Sequence, residues 1–132
     1  MFGPYAWGNW SEDNWLGGAY SDVILARPNE IVTETYQEQG PFTTITEARK
    51  HAKYLMTKFA RALLYLNKHS QHSTKSWGAV PVQDYSEVWW DKNVDEIDAE
   101  LMKKYKIPES IRSFVMANIQ ARTKSNIVNY VE

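Results

Sequence analysis

The clearest pattern of apolar positions in the chain predicts one long helix over residues 48–68. When each residue is advanced by about 100°, the apolar side chains fall within one arc of roughly 100°, which is typical of an amphipathic helix packed on a core. Thr46 precedes the run, and its hydroxyl can satisfy a free N–H group of the first turn. No Gly or Pro interrupts residues 45–77, so we expect a continuous helix. Its apolar positions are Ala48, Ala52, Leu55, Phe59, Leu63 and Leu66.

Upstream of this helix, alternating and β-branched residues predict two strands over 22–26 and 31–38. A turn at 27–30 separates them, where Pro28 fixes φ and Asn29 tolerates a tight backbone conformation. The strands and the turn together predict that a small sheet precedes the long helix.

Three further elements are predicted after the helix. Residues 79–82 form a short apolar segment that fits an edge strand. A second helix is expected over 94–105, with Asn93 as its cap and Glu96 three residues later. A third helix is expected to begin at Pro108 and to continue to about residue 120. The pattern therefore predicts an α+β fold: a small antiparallel or mixed sheet with one long basic amphipathic helix and two C-terminal helices.

Length and composition indicate one folded domain with an arm before it. Of the 132 residues, 43% are hydrophobic and 23% are charged, which is typical of a globular chain. Residues 1–20 mix glycines with tryptophans and tyrosines and show no period, so we assign them to an aromatic, Gly-rich arm and residues 21–132 to a single α+β domain. The chain has no cysteine, no apolar run of membrane-spanning length and no hydrophobic leader. We therefore expect a cytoplasmic protein that has no contact with a membrane.

The charges are unevenly distributed, although the whole chain has a formal net charge of only −1. Residues 48–83 carry seven Lys and Arg side chains and all three histidines, but no Asp or Glu. By contrast, residues 1–47 hold seven acids against one base, and residues 84–132 hold nine acids against seven bases. A local concentration of charge matters more to a charged partner than the net charge does. The basic segment favours contact with an anion or a nucleic acid, while a solvated lysine-rich face is the alternative.

Catalytic and cofactor-binding motifs are not evident. The sequence has neither the acid-x-Lys triplet of a metal-dependent nuclease on a predicted strand nor the Gly-rich loop of a methyltransferase. His69 and His72 are spaced three apart but have no third ligand of matching spacing. We expect no cofactor and no metal ion, and whether the chain is an enzyme stays open. A divergent nuclease that uses Asp22, Glu34 and Lys53 is one alternative.

The polar segment at 68–75 can be interpreted in two ways. It is either a solvated connection from the helix to the next strand or a recognition element for DNA. Its lysines can contact phosphate or guanine, and Gln71 can pair with adenine. Ser73 and Thr74 can reach either phosphate or a base.

Several short motifs follow one another within residues 20–120. They are EIVTETY at 30–36, GPF at 40–42, TEA at 46–48, YLMTKF at 54–59, QHST at 71–74, VPVQDY at 80–85 and WW at 89–90. In this order and spacing they resemble the C-terminal part of bacterial type II restriction-modification proteins, which have an adenine-specific DNA methyltransferase core. The resemblance implies a region associated with target recognition, which holds double-stranded DNA while other domains methylate or cleave it.

For individual residues, the resemblance implies DNA contact at Lys58, Gln71, His72, Thr74 and Gln83, with Asp84 either reading a cytosine or holding the loop. Together with the basic helix, this gives a predicted DNA-binding set of Lys50, Lys53, Lys58, Arg61, Lys68, Gln71, His72, Thr74, Lys75 and Gln83.

The catalytic parts of these restriction-modification proteins have no counterpart in the sequence. We therefore expect a fragment or a truncated gene product that is not catalytic by itself. Its expected partners are double-stranded DNA and the methyltransferase and endonuclease domains of the parent protein. The alternative function is a protein-interaction module of a larger assembly, with the aromatic arm as its contact surface.

Overall fold

The computed structural model describes residues 2–4, 23–31, 36–67, 74–119 and 127–128, and this part of the chain is mainly helical. Its four α-helices are α1 (Ile45–Met56), α2 (Lys58–Asn67), α3 (Val94–Lys104) and α4 (Glu109–Asn118). Two 3₁₀ turns lie between α2 and α3, at Thr74–Ala79 and Val88–Asp91. No helix in the described ranges is long and apolar enough to cross a membrane.

Extended backbone in the described ranges is confined to segments of two or three residues. These are β1 (Phe2–Pro4), β2 (Val23–Ile24), β3 (Tyr36–Glu38) and β4 (Ile127–Val128), which pair in the order β3-β1-β2-β4. β1 is antiparallel to both of its neighbours, and β2 is parallel to β4. Strands in globular sheets usually have about 5–6 residues, so segments this short do not form a layer on which helices pack. The predicted α+β fold is therefore wrong, and the fold is helical.

The turn predicted at 27–30 is present, and the strand before it ends at Ile24, two residues earlier than predicted. The Glu30 N–H donates to the carbonyl of Arg27 at 3.2 Å, and the Arg27 N–H donates to Glu30 Oε2 at 2.7 Å. Asn29 has a φ of 70°, as the tight position requires. β2 and β3 do not pair across the turn, because β1 lies between them. The edge strand predicted at 79–82 is not formed, and the carbonyl of Pro81 instead accepts from the Tyr54 hydroxyl.

The single helix predicted over 48–68 is two helices, because the helical backbone is interrupted at Thr57. This buried residue has extended backbone angles, with φ −65° and ψ 149°. Its hydroxyl donates to the carbonyl of Tyr54 at 2.6 Å and accepts from the N–H of Ala60 at 3.1 Å. One side chain therefore satisfies a carbonyl at the end of α1 and an N–H at the start of α2. The sequence pattern missed the break because no Gly or Pro marks it.

A buried carboxylate on α3 completes the start of α2. Asp98 is 1% exposed, and its two oxygens accept from the N–H groups of Lys58 at 2.8 Å and Phe59 at 2.9 Å. N–H groups in the first turn of a helix have no partner within it and lie at the positive end of the helix dipole. Burial raises the pKa of Asp98 to about 6, although the two backbone hydrogen bonds act in the opposite direction. The contact fixes α3 to the junction between α1 and α2.

The caps predicted for the other helices are confirmed for α3 and shifted for α1 and α4. The Asn93 side chain accepts from the Glu96 N–H at 2.9 Å, and the Glu96 carboxylate accepts from the Asn93 N–H at 3.2 Å, which forms a complete capping box. α1 is capped by Thr44 and not by Thr46. Pro108 lies at the cap position of α4, one residue before the helix.

Two clusters of buried side chains form the core around these helices. The first contains side chains of α2, α3 and α4 together with Trp90, and the second contains side chains of α1, Leu64 of α2 and the segment around β2. Trp90 is fully buried, and its Nε1–H donates to the carbonyl of Asp84 at 2.9 Å. Its ring meets those of Tyr54 and Tyr85 edge-on, with centroid distances of 5.7 and 4.9 Å. The irregular segment between the 3₁₀ turns is thereby attached to the core.

The predicted N-terminal arm lies largely outside the described residues. β1 is the described part of it, and it pairs with β2 and β3. The arm's boundary at residue 20 and its proposed role as a contact surface stay predictions.

Candidate functional site

The predicted DNA-binding lysines of α1 and α2 donate hydrogen bonds to the chain's own backbone. These bonds run from Lys50 to Tyr85 (3.0 Å), from Lys53 to Trp90 (3.3 Å) and Lys92 (3.2 Å), and from Lys58 to Met116 (2.6 Å). Because the acceptors are neutral carbonyl oxygens, these bonds orient the ammonium groups without cancelling their charge. Lys50, whose side chain is 19% exposed, also lies 3.9 Å from the carboxylate of exposed Asp91. The lysines form a half-buried positive strip along α1 and the start of α2.

Two members of the predicted set, Arg61 and Gln83, are buried instead of lying on a DNA-facing surface. Arg61 has no exposed surface, and Gln83 is 7% exposed. The prediction for Arg61 extended the helical phase of α1 through Thr57, but the break at Thr57 ends that phase. In this conformation neither side chain can touch a phosphate or a base edge.

The other five members of the predicted set fall in or next to the polar segment at 68–75. Three lie outside the described residues, namely Lys68, Gln71 and His72, and two belong to the 3₁₀ turn, namely Thr74 and Lys75. The residues that flank 68–73 are attached to the rest of the fold. The Asn67 side chain donates to the carbonyl of Leu63 at 2.7 Å, and Trp77 packs against the second core cluster.

Gln83 lies in a group of polar and aromatic side chains that the sequence analysis did not bring together. Its amide nitrogen donates to the Tyr105 hydroxyl at 2.8 Å, and its amide oxygen accepts from Lys104 Nζ at 3.1 Å. The same ammonium group lies 3.5 Å from Glu87 Oε2. It also lies 5.8 Å from the ring centroids of both Trp89 and Tyr105. A cation is thus placed between two aromatic rings, a carboxylate and an amide.

A second group surrounds His51, which the sequence analysis counted only as part of the basic segment. His51 Nε2–H donates to the side-chain oxygen of Gln39 at 2.7 Å, and this fixes Nδ1 as the acceptor of the Tyr85 hydroxyl. Phe42 covers the ring at a centroid distance of 5.0 Å. Burial lowers the pKa of His51 to about 4, so the ring is neutral near pH 7. With both nitrogens hydrogen-bonded, the ring is held in place and adds no charge to the basic strip.

The described residues offer no evident metal-dependent active site. No group of three or more His, Asp or Glu side chains among them is placed to hold a metal ion. Of the alternative nuclease residues, Asp22 and Glu34 lie outside the described ranges, and Lys53 donates to backbone carbonyls. A surface depression of about 370 Å³ lies between α3 and the start of α4, and charges of both signs line it. Its lining residues are Ala99, Glu100, Met102, Lys103, Ile107, Glu109 and Arg112.

No family model, curated protein sequence or solved structure matches this chain. The resemblance of the short motifs to restriction-modification proteins therefore stays a prediction.

Proposed function

We propose that this chain is a non-catalytic DNA-binding module of a cytoplasmic restriction-modification protein. In this proposal it helps to recognise the target, while methyltransferase and endonuclease domains of the parent protein act on the DNA. The observation that supports it is the positive strip of Lys50, Lys53 and Lys58, in a stretch of sequence without carboxylates. Neutral carbonyl acceptors do not neutralise an ammonium group, although Asp91 offsets part of the charge of Lys50. A positive field attracts the phosphate backbone.

Direct contact with DNA is assigned to the polar segment that follows α2. The lysines of α1 and α2 are half-buried and act mainly through their field, whereas Lys68 and Lys75 are assigned to phosphates. Phosphate contacts position a protein on DNA without reading its sequence. Gln71 and Thr74 have side chains that can hydrogen-bond to base edges, so we assign target preference to them.

A titration of the full chain with labelled duplex DNA tests this proposal. We expect nonspecific binding with a Kd of about 10⁻⁴–10⁻⁶ M near physiological salt, and tighter binding at low salt. The double variant Lys68→Ala/Lys75→Ala should bind more weakly and should lower the slope of log affinity against log salt by about two, one for each phosphate contact. Fluorescence anisotropy at several salt concentrations measures both quantities.

The matched control is Lys103→Ala/Lys106→Ala, which removes the same charge from exposed positions at the end of α3 and just after it. It should leave the salt slope nearly unchanged. Equal losses of DNA affinity and salt slope in the two double variants would mean that net charge alone causes the effect. This result would refute the assignment to residues 68–75. A wild-type chain without saturable binding at low salt would refute DNA binding by this chain.

A second candidate function, a protein-interaction module, is favoured by exposed apolar side chains between α2 and α3 and on α4. Val82 and Val88 are 97% and 85% exposed, and Ile111 and Phe114 are about half exposed. Exposed apolar side chains mark a contact with another protein where they form a contiguous patch. In a larger protein, neighbouring domains would cover these side chains. Failure of the DNA titration would leave this function as the stronger candidate.

A further inference from the structure

We propose that Gln83, Glu87, Trp89 and Tyr105 form a binding site for an alkylammonium group, which the chain's own Lys104 occupies in this structure. We call these four residues the ammonium site. The proposal goes beyond DNA binding and does not depend on it. It rests on what surrounds the ammonium group of Lys104, on how firmly the surrounding residues are held, and on how exposed Lys104 itself is.

The surroundings have the chemistry that recognises an organic cation. Glu87 Oε2 is buried and has no hydrogen-bond partner among the described residues, and Lys104 Nζ approaches it at 3.5 Å. The amide oxygen of Gln83 accepts from the same Nζ at 3.1 Å, and the rings of Trp89 and Tyr105 lie at 5.8 Å. Aromatic faces attract ammonium groups, including methylated ones, through the ring quadrupole. A carboxylate, an amide oxygen and two rings therefore select for a positively charged alkyl amine.

The field around the site also favours a cation. Asp84 lies on the same segment, and hydrogen bonds from Ser86 keep the pKa of its carboxyl low, with the charge of Lys104 as a smaller cause. Two carboxylates thus accompany one lysine. Removal of the Lys104 side chain would leave the site with an uncompensated negative charge.

The residues that form the site are held in place. The Trp89 ring stacks on fully buried Trp90 at 4.3 Å, and the Tyr105 ring stacks on buried Phe59 at 5.2 Å. The buried Gln83 side chain is fixed by its bond to the Tyr105 hydroxyl. The positions of Gln83, Trp89 and Tyr105 therefore have supports other than Lys104, and Glu87 supplies the charge.

The side chain of Lys104, in contrast, can be displaced from the ammonium site. Lys104 lies in the last turn of α3, and its side chain is 36% exposed. Its distance of 5.8 Å from each ring is close to the limit of about 6 Å for a cation–π contact. The side chains of Glu87 and Tyr105 are also about one-third exposed, so solvent reaches the edge of the site although Glu87 Oε2 itself is covered. A cation from outside can enter when Lys104 swings into water.

The experiment empties the site in the full chain and offers it small cations. In Lys104→Ala, ethylammonium should cause a saturable shift of the Trp89 indole resonance and should raise the melting temperature. The wild-type chain should bind it at least tenfold more weakly, because Lys104 competes. The Lys103→Ala variant, which removes a neighbouring exposed lysine, should behave like the wild type.

Two further measurements decide whether recognition is specific. Lys104→Ala/Glu87→Gln should bind ethylammonium at least tenfold more weakly than Lys104→Ala, and neutral propanol should not bind to either variant. If ethylammonium gives no saturable shift in Lys104→Ala, or if propanol or the double variant matches it, the proposal is wrong. Spermidine and Nα-acetyl-lysine amide, which keeps its side-chain ammonium group, distinguish two sources of the ligand. Tighter binding of spermidine indicates a free polyamine, and tighter binding of the lysine derivative indicates a lysine of a partner protein.

Discussion

Replacement of Asp98 by Ala is expected to lower the free energy of unfolding by about 3–5 kcal/mol, because it leaves two buried N–H groups without acceptors. The carboxylate accepts from Lys58 and Phe59 in the first turn of α2 and is almost completely buried. Hydrogen bonds to a charged group contribute about 1.5–3 kcal/mol each, more than a neutral pair. Small domains have only about 5–15 kcal/mol of stability, so this loss is a large fraction of the total.

Denaturant titrations of three variants measure this effect. Asp95→Ala removes an exposed carboxylate from the first turn of the same helix, and it should change the stability by no more than about 0.5–1 kcal/mol. Asp98→Asn keeps one acceptor oxygen and should lie between the other two variants. If Asp98→Ala costs no more than Asp95→Ala, the carboxylate does not stabilise the start of α2.

The same contact explains why the sequence predicted α3 well and α2 poorly. The signals of α3 are local: Asn93 and Glu96 form the capping box within four residues of each other. The start of α2 depends on Asp98, which lies 40 residues after Lys58 in the sequence. A periodic pattern of apolar residues cannot indicate a partner that is distant in the sequence. The prediction therefore continued the helical phase of α1 beyond Thr57. The prediction that Arg61 faces DNA failed for this reason.

The sheet was over-predicted for a related reason. β-branched residues at 31–38 favour extended backbone, but such a preference requires a partner strand of sufficient length. The described partner, β1, is only three residues long, and it belongs to the segment that the sequence analysis assigned to an arm. Helices α1, α2 and α3 have apolar faces that they bury in the core, and α4 adds Val115. Packing between helices therefore determined the fold.

The candidate sites were predictable only in part. The absence of carboxylates from 48–83 is visible in the sequence, and the positive strip follows from it. The hydrogen-bond acceptor of each lysine cannot be predicted from the sequence, because the accepting carbonyls lie 35 or more residues away. The ammonium site is also hidden, since Gln83 and Tyr105 are 22 residues apart.

Acidification is expected to affect the stability of this protein through two buried groups with opposite signs. The pKa of His51 falls from 6.5 to about 4 on folding, so the unfolded chain binds the proton more readily than the folded one. The contribution of His51 is fully present above pH 6.5, and about 3 kcal/mol of it is lost as the pH falls to 4. The pKa of Asp98 rises from 3.8 to about 6 on folding, so its contribution is largest below pH 3.8. This contribution decreases by up to about 3 kcal/mol as the pH rises to 6.

Because the two windows overlap between pH 4 and 6, the wild-type chain should show a shallower pH dependence than either group alone would give. Asp98→Asn removes the opposing group, so its stability should fall more steeply on acidification than that of the wild type. In His51→Gln, Asp98 is the one of these two groups that still titrates. On acidification the stability of this variant should fall less than that of the wild type, or should rise. Differences from the wild type, measured by urea unfolding at pH 7 and pH 4.5, cancel the contribution of the exposed carboxylates. Parallel pH profiles for all three chains would contradict the assignment, because they would mean that neither buried group changes its proton affinity on folding.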